Sequence, residues 1–156
     1  MNRQELLQML DEKGIRYELS EHVPVFTVEE MMEAKLPFRE ITAKNLFIRD
    51  DKKRNYYLIT AKEDRPVNLK AFREQFGTRS LTFASEDDLM AIMGLKKGSV
   101  TPFGLLNDEE RKVQFFLDGS FEKIGVHPME NNATVVLAAA DLVELIREHG
   151  NTVTII

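Results

Sequence analysis

With 156 residues and no cysteine, the chain is long enough to bury roughly 70% of its unfolded surface without a disulfide, and it has no thiol for catalysis, zinc binding or cross-linking. A formal net charge of -5 argues against a protein that coats nucleic acid through a uniformly basic surface, while leaving room for a local basic rim. No apolar run reaches membrane-spanning length and the opening Met1-Asn2-Arg3-Gln4-Glu5 lacks a signal peptide's apolar segment, so the expectation is a single domain over residues 1–156, in the cytoplasm and away from membranes.

Leu6, Leu7 and Leu10 share one helical face, which predicts a helix from Asn2 to Lys13 closed by Gly14. Ile15 to Leu19 alternates as a half-buried strand. Beyond Pro24, Thr27 and Glu30 have the spacing of a capping box, so a second helix is expected from about Val28 to Lys35. His22 lies in the connection between them, a position that suits a surface or hydrogen-bonded histidine better than a catalyst.

Ile41 to Ile48 and Asn55 to Ala61 read as two hairpin strands joined across Asp50-Asp51-Lys52-Lys53-Arg54, a tip too charged for any core. Lys44 and Asn45 stand inside the first strand. An unpaired ammonium is costly to bury, so Lys44 either looks into a wet cleft or guards a strand edge against aggregation. Asn68 caps a helix through Phe76, Ser80 to Phe83 forms a short strand, and Ser85 caps a helix carrying Leu89, Ile92 and Met93 that ends at Gly94. The Glu86-Asp87-Asp88 run is helix-start chemistry, not a paired-carboxylate site.

From Lys96 to Asp108, Gly98, Pro102 and Gly104 forbid a long regular element and predict a shaped loop. Gly98 lets the backbone approach another molecule, and the amides of Ser99, Val100 and Thr101 are expected to be free for an anion or an ester oxygen. An ordinary helix-to-strand connection has the same composition, so other residues must decide. Val113 to Leu117 is a buried strand, Asp118-Gly119-Ser120 a tight turn, and 121–134 an unusual connector in which Pro128 holds His127 extended. A strand over Thr134 to Ala138, a helix capped by Asp141 and closed by Gly150, and an edge strand over Thr152 to Ile156 complete the chain. The sum, roughly seven strands and five helices with both hairpins and crossovers, argues an α+β fold with a mixed, mostly antiparallel sheet and surrounding helices.

Dinucleotide, phosphate-loop and zinc-protease motifs are absent and the three histidines lie far apart, so no cofactor and no metal are implied. A serine triad of Ser99 and His127 lacks the nucleophile elbow and an evident orienting carboxylate. What survives is a cation at Lys44, the loop amides from Gly98 to Thr101, and a polar corner from His127 to Asn132. A cation suits a phosphate and aligned amides suit an ester oxygen that gains charge when water attacks, so the set fits an activated ester on a phosphorylated carrier.

Thr42-Ala43-Lys44-Asn45-Leu46-Phe47, Asn55-Tyr56-Tyr57-Leu58, Gly98-Ser99-Val100-Thr101-Pro102-Phe103-Gly104-Leu105-Leu106-Asn107-Asp108 and Val126-His127-Pro128, followed by Asn131, Ala133 and Thr134, span almost the whole chain. In this order they resemble the free-standing prolyl-tRNA editing proteins of the YbaK/ProX superfamily. The resemblance implies a trans-acting deacylase of mischarged proline tRNA. Lys44 would contact the phosphate end of the terminal adenosine, and Asn45 would set the backbone there. Gly98, Ser99 and Val100 would line the loop holding the ester, with Thr101, Pro102 and Asn131 completing the substrate-binding set, and His127 would shape or polarise the aminoacyl pocket. In this family the attacking water is thought to be helped by the tRNA's own ribose hydroxyl, which suits a chain without an evident general base. The loop reads Gly-Ser-Val-Thr-Pro, closer to the alanine-editing branch than to the Gly-Gly-Cys-Ser-Pro of the cysteine-editing branch, so alanyl-tRNA for proline is the expected substrate. The implied partners are the acceptor end of proline tRNA and prolyl-tRNA synthetase or other translation factors, with a monomer as the default. Two alternatives stay open: a non-catalytic tRNA- or synthetase-binding module of the same fold, and a metal-free hydrolase of small esters.

Overall fold

The computed structural model describes residues 1–22 and 41–156, so the helix expected over Val28 to Lys35 and its capping box lie outside the described residues. Asn2 opens α1 (Arg3–Glu12) by accepting the Glu5 amide while the Glu5 carboxylate accepts the Asn2 amide, a reciprocal cap that satisfies two otherwise orphaned donors. Leu6 and Leu10 are fully buried on its inner face. The Ile15 and Gly14 amides close the helix on the carbonyls of Leu10 and Asp11. Asn68 caps α2 (Leu69–Phe76) and Ser85 caps α3 (Glu86–Met93), both as their positions predict.

The last helix, α4 (Ala139–His149), departs from expectation, because Asp141 lies in its first turn and not at its cap. The Ala139 amide instead donates to the Glu122 carbonyl at 2.9 Å. A main-chain acceptor from a neighbouring segment thus replaces the side-chain cap.

Among the described residues eight strands follow in chain order: β1 (Tyr17–Glu21), β2 (Ala43–Asp50), β3 (Tyr56–Lys62), β4 (Leu81–Phe83), β5 (Val113–Leu117), β6 (Lys123–Val126), β7 (Ala133–Ala138) and β8 (Val153–Ile155). They divide into two sheets. A three-stranded antiparallel sheet has the order β1-β7-β6, and a five-stranded sheet has the order β4-β2-β3-β5-β8. The second is mixed: β2 pairs antiparallel with β3 and β4, while β3–β5 and β5–β8 are parallel and therefore need crossovers. β8 takes the expected edge position. β6, in contrast, falls inside the stretch read as a connector, because its four residues include Gly125 and are too few to show alternation.

Both faces of the five-stranded sheet are covered. Phe47, Leu58 and Phe115 pack into one cluster with Val126, Val135, Leu142 and Phe103, while Ile48, Tyr57, Ile59 and Phe116 pack under Phe72 of α2 in another. β3 is accordingly buried at six consecutive positions, with no alternation of apolar and polar residues. The hairpin tip corrects one expectation. Residues 51–54 are exposed, but Asp50 is fully buried, where it accepts the Lys52 and Arg54 amides and the Asn55 side-chain amide. Its charge does not keep it out of the core, because three donors replace the lost water.

Candidate functional site where the two sheets meet

Just before β2, Thr42 forms an isolated parallel bridge with Gly125 of β6. A Cβ at Gly125 would lie 3.1 Å from Thr134 Cγ2 and 3.5 Å from Thr42 Oγ1, so glycine is what admits this approach. The two segments then run on in the same direction. Two residues past the bridge stand Lys44 on one segment and His127 on the other.

Strand alternation separates Lys44 from its neighbour Asn45. Ala43 and Phe47 pack with the cluster between the sheets, whereas Leu46 and Ile48 pack with the cluster under α2. Asn45 therefore turns towards the space between the sheets and Lys44 towards the opposite face. Asn45 Oδ1 accepts from the Thr60 hydroxyl at 2.7 Å, and Thr60, its register partner on β3, is fully buried. Lys44 is half-buried, and its Nζ donates to the Arg65 carbonyl. β4 pairs with β2 at Ile48 to Asp50, so it does not reach the Lys44 end of the strand.

His127 follows β6 directly, in the turn that leads back into β7. Its Nδ1 lies 3.0 Å from the Ala133 carbonyl, which can only accept, so Nδ1 carries the proton and Nε2 presents a lone pair when the ring is neutral. Burial pushes the His127 pKa down, the Ala133 carbonyl partly opposes this, and nearby His22 adds to the depression. The ring is therefore neutral at neutral pH. Asn131 lies in the same turn, where Met129 adopts a φ of 71°.

His22 joins this corner unannounced by the sequence. Its amide donates to the Asn132 carbonyl at 2.9 Å, its Nε2 lies 2.8 Å from Thr134 Oγ1, and its ring centroid is 6.3 Å from that of His127. The expectation of a hydrogen-bonded histidine holds, but its proximity to His127 depends on the register of β1 against β7, which pairs Glu21 with Ala133. No local signal carries that information.

In the loop, Gly98 has a φ of 87°, a conformation that favours glycine. The three amides expected to be free are not equivalent. Ser99 donates to the Lys96 carbonyl at 3.0 Å and is 8% exposed, closing a turn, whereas the Val100 and Thr101 amides donate to no described residue. Val100 packs against the cluster between the sheets, on the side to which Asn45 turns. Thr101 is fully buried and caps a 3-10 helix, Pro102–Asn107, by accepting the Phe103 amide, so part of the expected loop is helical. Pro102 suits its first position because the missing N–H would have had no partner there.

Asn45, His127 and Asn131 thus lie along or beyond the two segments that meet at the Thr42–Gly125 bridge, Val100 packs on the cluster between the sheets, and Lys44 reaches its partner on the far side of β2. A groove of about 960 Å³ lined by Asp11, Arg16, Tyr17, Glu18, Lys123 and Asp141 lies elsewhere and holds none of the expected site residues.

Known proteins share this arrangement of sequence and fold. A crystal structure of a candidate trans-editing enzyme for prolyl-tRNA synthetase superposes with a TM-score of 0.71 at 18% identity, covering 99% of this chain and 96% of that one, and it shows the fold. The prolyl-tRNA editing protein ProX of Acetoanaerobium sticklandii is 42% identical over 153 residues, which cover 96% of this chain and 93% of that protein. The prolyl-tRNA synthetase associated domain-containing protein 1 of Mus musculus is 38% identical over 156 residues, covering 96% of this chain and 92% of its own length. The family model described as the aminoacyl-tRNA editing domain matches residues 22–145, a span that begins at His22 and takes in the bridge, the Gly98 loop and His127. By sequence and by fold, the chain belongs to the aminoacyl-tRNA editing domain family.

Proposed function

We propose that this protein is a trans-acting aminoacyl-tRNA deacylase that hydrolyses the ester of alanine mischarged onto proline tRNA. The observation that carries the reading is membership of the editing family together with a Gly98-Ser99-Val100-Thr101-Pro102 loop in which two amides are unengaged among the described residues. Water adds to the ester carbonyl, the oxygen gains charge, and the amide of partly exposed Val100 is the donor open to it, whereas fully buried Thr101 holds the loop in shape. The carbon–oxygen bond to the ribose then breaks, giving free alanine and a tRNA with its terminal hydroxyl restored.

Each remaining residue takes a role in that step. The neutral His127 Nε2 offers an acceptor for the substrate's α-ammonium, so His127 orients the alanyl group. The Lys44 ammonium, on the face of β2 opposite Asn45, meets the phosphate of the terminal nucleotide outside the space between the sheets, and Asn45, fixed by Thr60, holds the strand at that point. Gly98, Ser99, Pro102 and Asn131 shape the walls. The ribose hydroxyl of the tRNA assists the water. The protein acts as one unit over residues 1–156, as a cytoplasmic monomer that visits proline tRNA and its synthetase. A net charge of -5 makes that encounter weak and salt-sensitive.

A deacylation panel of alanyl, cysteinyl, seryl and prolyl esters on proline tRNA, run with EDTA, tests the reading. Alanyl-tRNA should be cleaved fastest and prolyl-tRNA spared. Binding without cleavage would leave a tRNA-binding module, and equal cleavage of free small esters would leave a general esterase; either result overturns the proposal. One methylene in a pocket is worth only about 1–3 kcal/mol, so sparing prolyl-tRNA requires rigid walls.

A further inference from the structure

Asp118 closes β5 and is 2% exposed, yet it belongs to none of the roles above. Its carboxylate accepts the Lys62 amide at 3.1 Å, the Ser120 amide at 2.9 Å, the Ser120 hydroxyl at 2.6 Å and Arg65 Nη1 at 2.9 Å. Burial by itself would raise its pKa, but these partners outweigh that and hold it at about 2, so it stays ionised. The turn from Lys62 to Arg65 is closed by the Arg65 amide on the Lys62 carbonyl at 3.0 Å. Both ends of that turn are therefore tied to one carboxylate: Lys62 by its main chain, Arg65 by its guanidinium. A second guanidinium contact, from Arg65 Nη1 to the Ile156 carbonyl at 3.3 Å, braces it further.

The carbonyl that this turn presents is the acceptor of the Lys44 ammonium. We propose that Arg65 and Asp118 form a clamp that positions Lys44, holding the Arg65 carbonyl where it takes one of the three ammonium donors and aims the other two at a nucleotide phosphate. The clamp rests on the reading of Lys44 as the phosphate contact. A lysine on a flexible four-carbon stem gains from a fixed anchor, because its charge alone does not define a direction. Arg65 and Asp118 are positioning residues, and neither need touch the substrate.

Single-turnover and steady-state deacylation of alanyl-tRNA for proline by the full chain test this with Lys44→Ala, Arg65→Ala, Arg65→Lys and the double variant Lys44→Ala/Arg65→Ala. The Arg65 side chain is 41% exposed and the Lys62 and Ser120 donors stay on the buried Asp118 carboxylate when Arg65 is replaced, and a circular-dichroism melt measures what loss of the ion pair costs. Arg65→Ala should lower kcat/KM by about ten- to a hundredfold, the scale on which a misplaced contact acts. Arg65→Lys should recover part of the loss, and the double variant should be no worse than Lys44→Ala alone, because both remove one interaction.

Wild-type kinetics for Arg65→Ala beside an impaired Lys44→Ala would overturn the clamp and leave the phosphate contact standing. Losses that multiply in the double variant would also overturn it, assigning Arg65 its own contact with the nucleic acid. Full activity in Lys44→Ala would remove the phosphate reading itself, and the clamp with it.

Discussion

His22 and His127 stand with their ring centroids 6.3 Å apart and their planes inclined at 54°, one from the end of β1 and the other from the end of β6. Burial keeps the His127 ring neutral at neutral pH and nearby His22 adds to this, while the Ala133 carbonyl on Nδ1 partly opposes it. The linkage has a definite sign. An unfolded histidine takes up its proton near pH 6.5, whereas the folded His127 takes it up at lower pH, so the unfolded state binds more protons in between. The contribution of His127 to stability is present above about pH 6.5 and is lost as pH falls below that value. Thermal melts should show a midpoint that drops on acidification through this window, and His127→Gln should flatten the drop. Equal slopes for the two proteins would remove His127 as the source.

The same neutral ring orients the alanyl group in our reading, which sets a kinetic expectation. His127→Ala should retain the fold and lose about a hundredfold in kcat on alanyl-tRNA, within the range for a side chain that handles the reacting group. Unchanged kinetics on both alanyl and prolyl substrates would place His127 outside the pocket.

Gly98 has its φ of 87°, a region costing a non-glycine residue about 1–2 kcal/mol. Gly98→Val should lower the thermal midpoint by that modest amount and reduce deacylation about tenfold or more through displacement of the Val100 amide. Gly98→Ala should fall between the two proteins. Undiminished turnover in the valine variant would refute the role of this backbone.

Stability and activity should separate at Asp50. Its carboxylate organises the β2–β3 turn through three donors, six residues along the strand from Lys44, which is about 20 Å. Asp50→Ala leaves those donors without their acceptor and should cost about 2 kcal/mol in a denaturant melt, with kcat/KM unchanged at a temperature where the variant is folded. A proportionate loss of activity would bring the hairpin tip into the site.

At Gly125 the two should fall together. An added methyl meets Thr134 Cγ2 at 3.1 Å and Thr42 Oγ1 at 3.5 Å, so Gly125→Ala pushes the lead-in to β2 away from β6. We expect about 1–3 kcal/mol of destabilisation from this crowding and a rise in KM as Asn45 and His127 move apart. A variant with native melting and native KM would show that the bridge is not what holds the site.

What the sequence disclosed follows the range of the physics involved. The caps at Asn68 and Ser85 are contacts three residues long and both were legible, whereas Asn2, read as the first residue of its helix, caps it by a contact of the same length. Asp141 failed as a cap because the acceptor for the Ala139 amide comes from Glu122, a main-chain oxygen that no side chain announces. Asp50 looked like surface charge because its donors are backbone amides and one asparagine.

In the candidate site, the motifs name segments but not faces. β2 is covered on both sides, so its pattern could not tell which of Lys44 and Asn45 looks between the sheets. The partnership of His22 with Thr134, 112 positions away, and with His127 is set by strand register, beyond any periodicity.

The meeting of the two sheets at Thr42 and Gly125 gives the pocket an adjustable jaw. One jaw carries Asn45 and the other carries His127, so in our reading of the site small packing changes at the fulcrum would alter the gap offered to an acyl group without replacing any residue proposed to touch it. A search for variants that accept bulkier amino acids should therefore begin behind the pocket, at Thr42, Gly125 and Thr134.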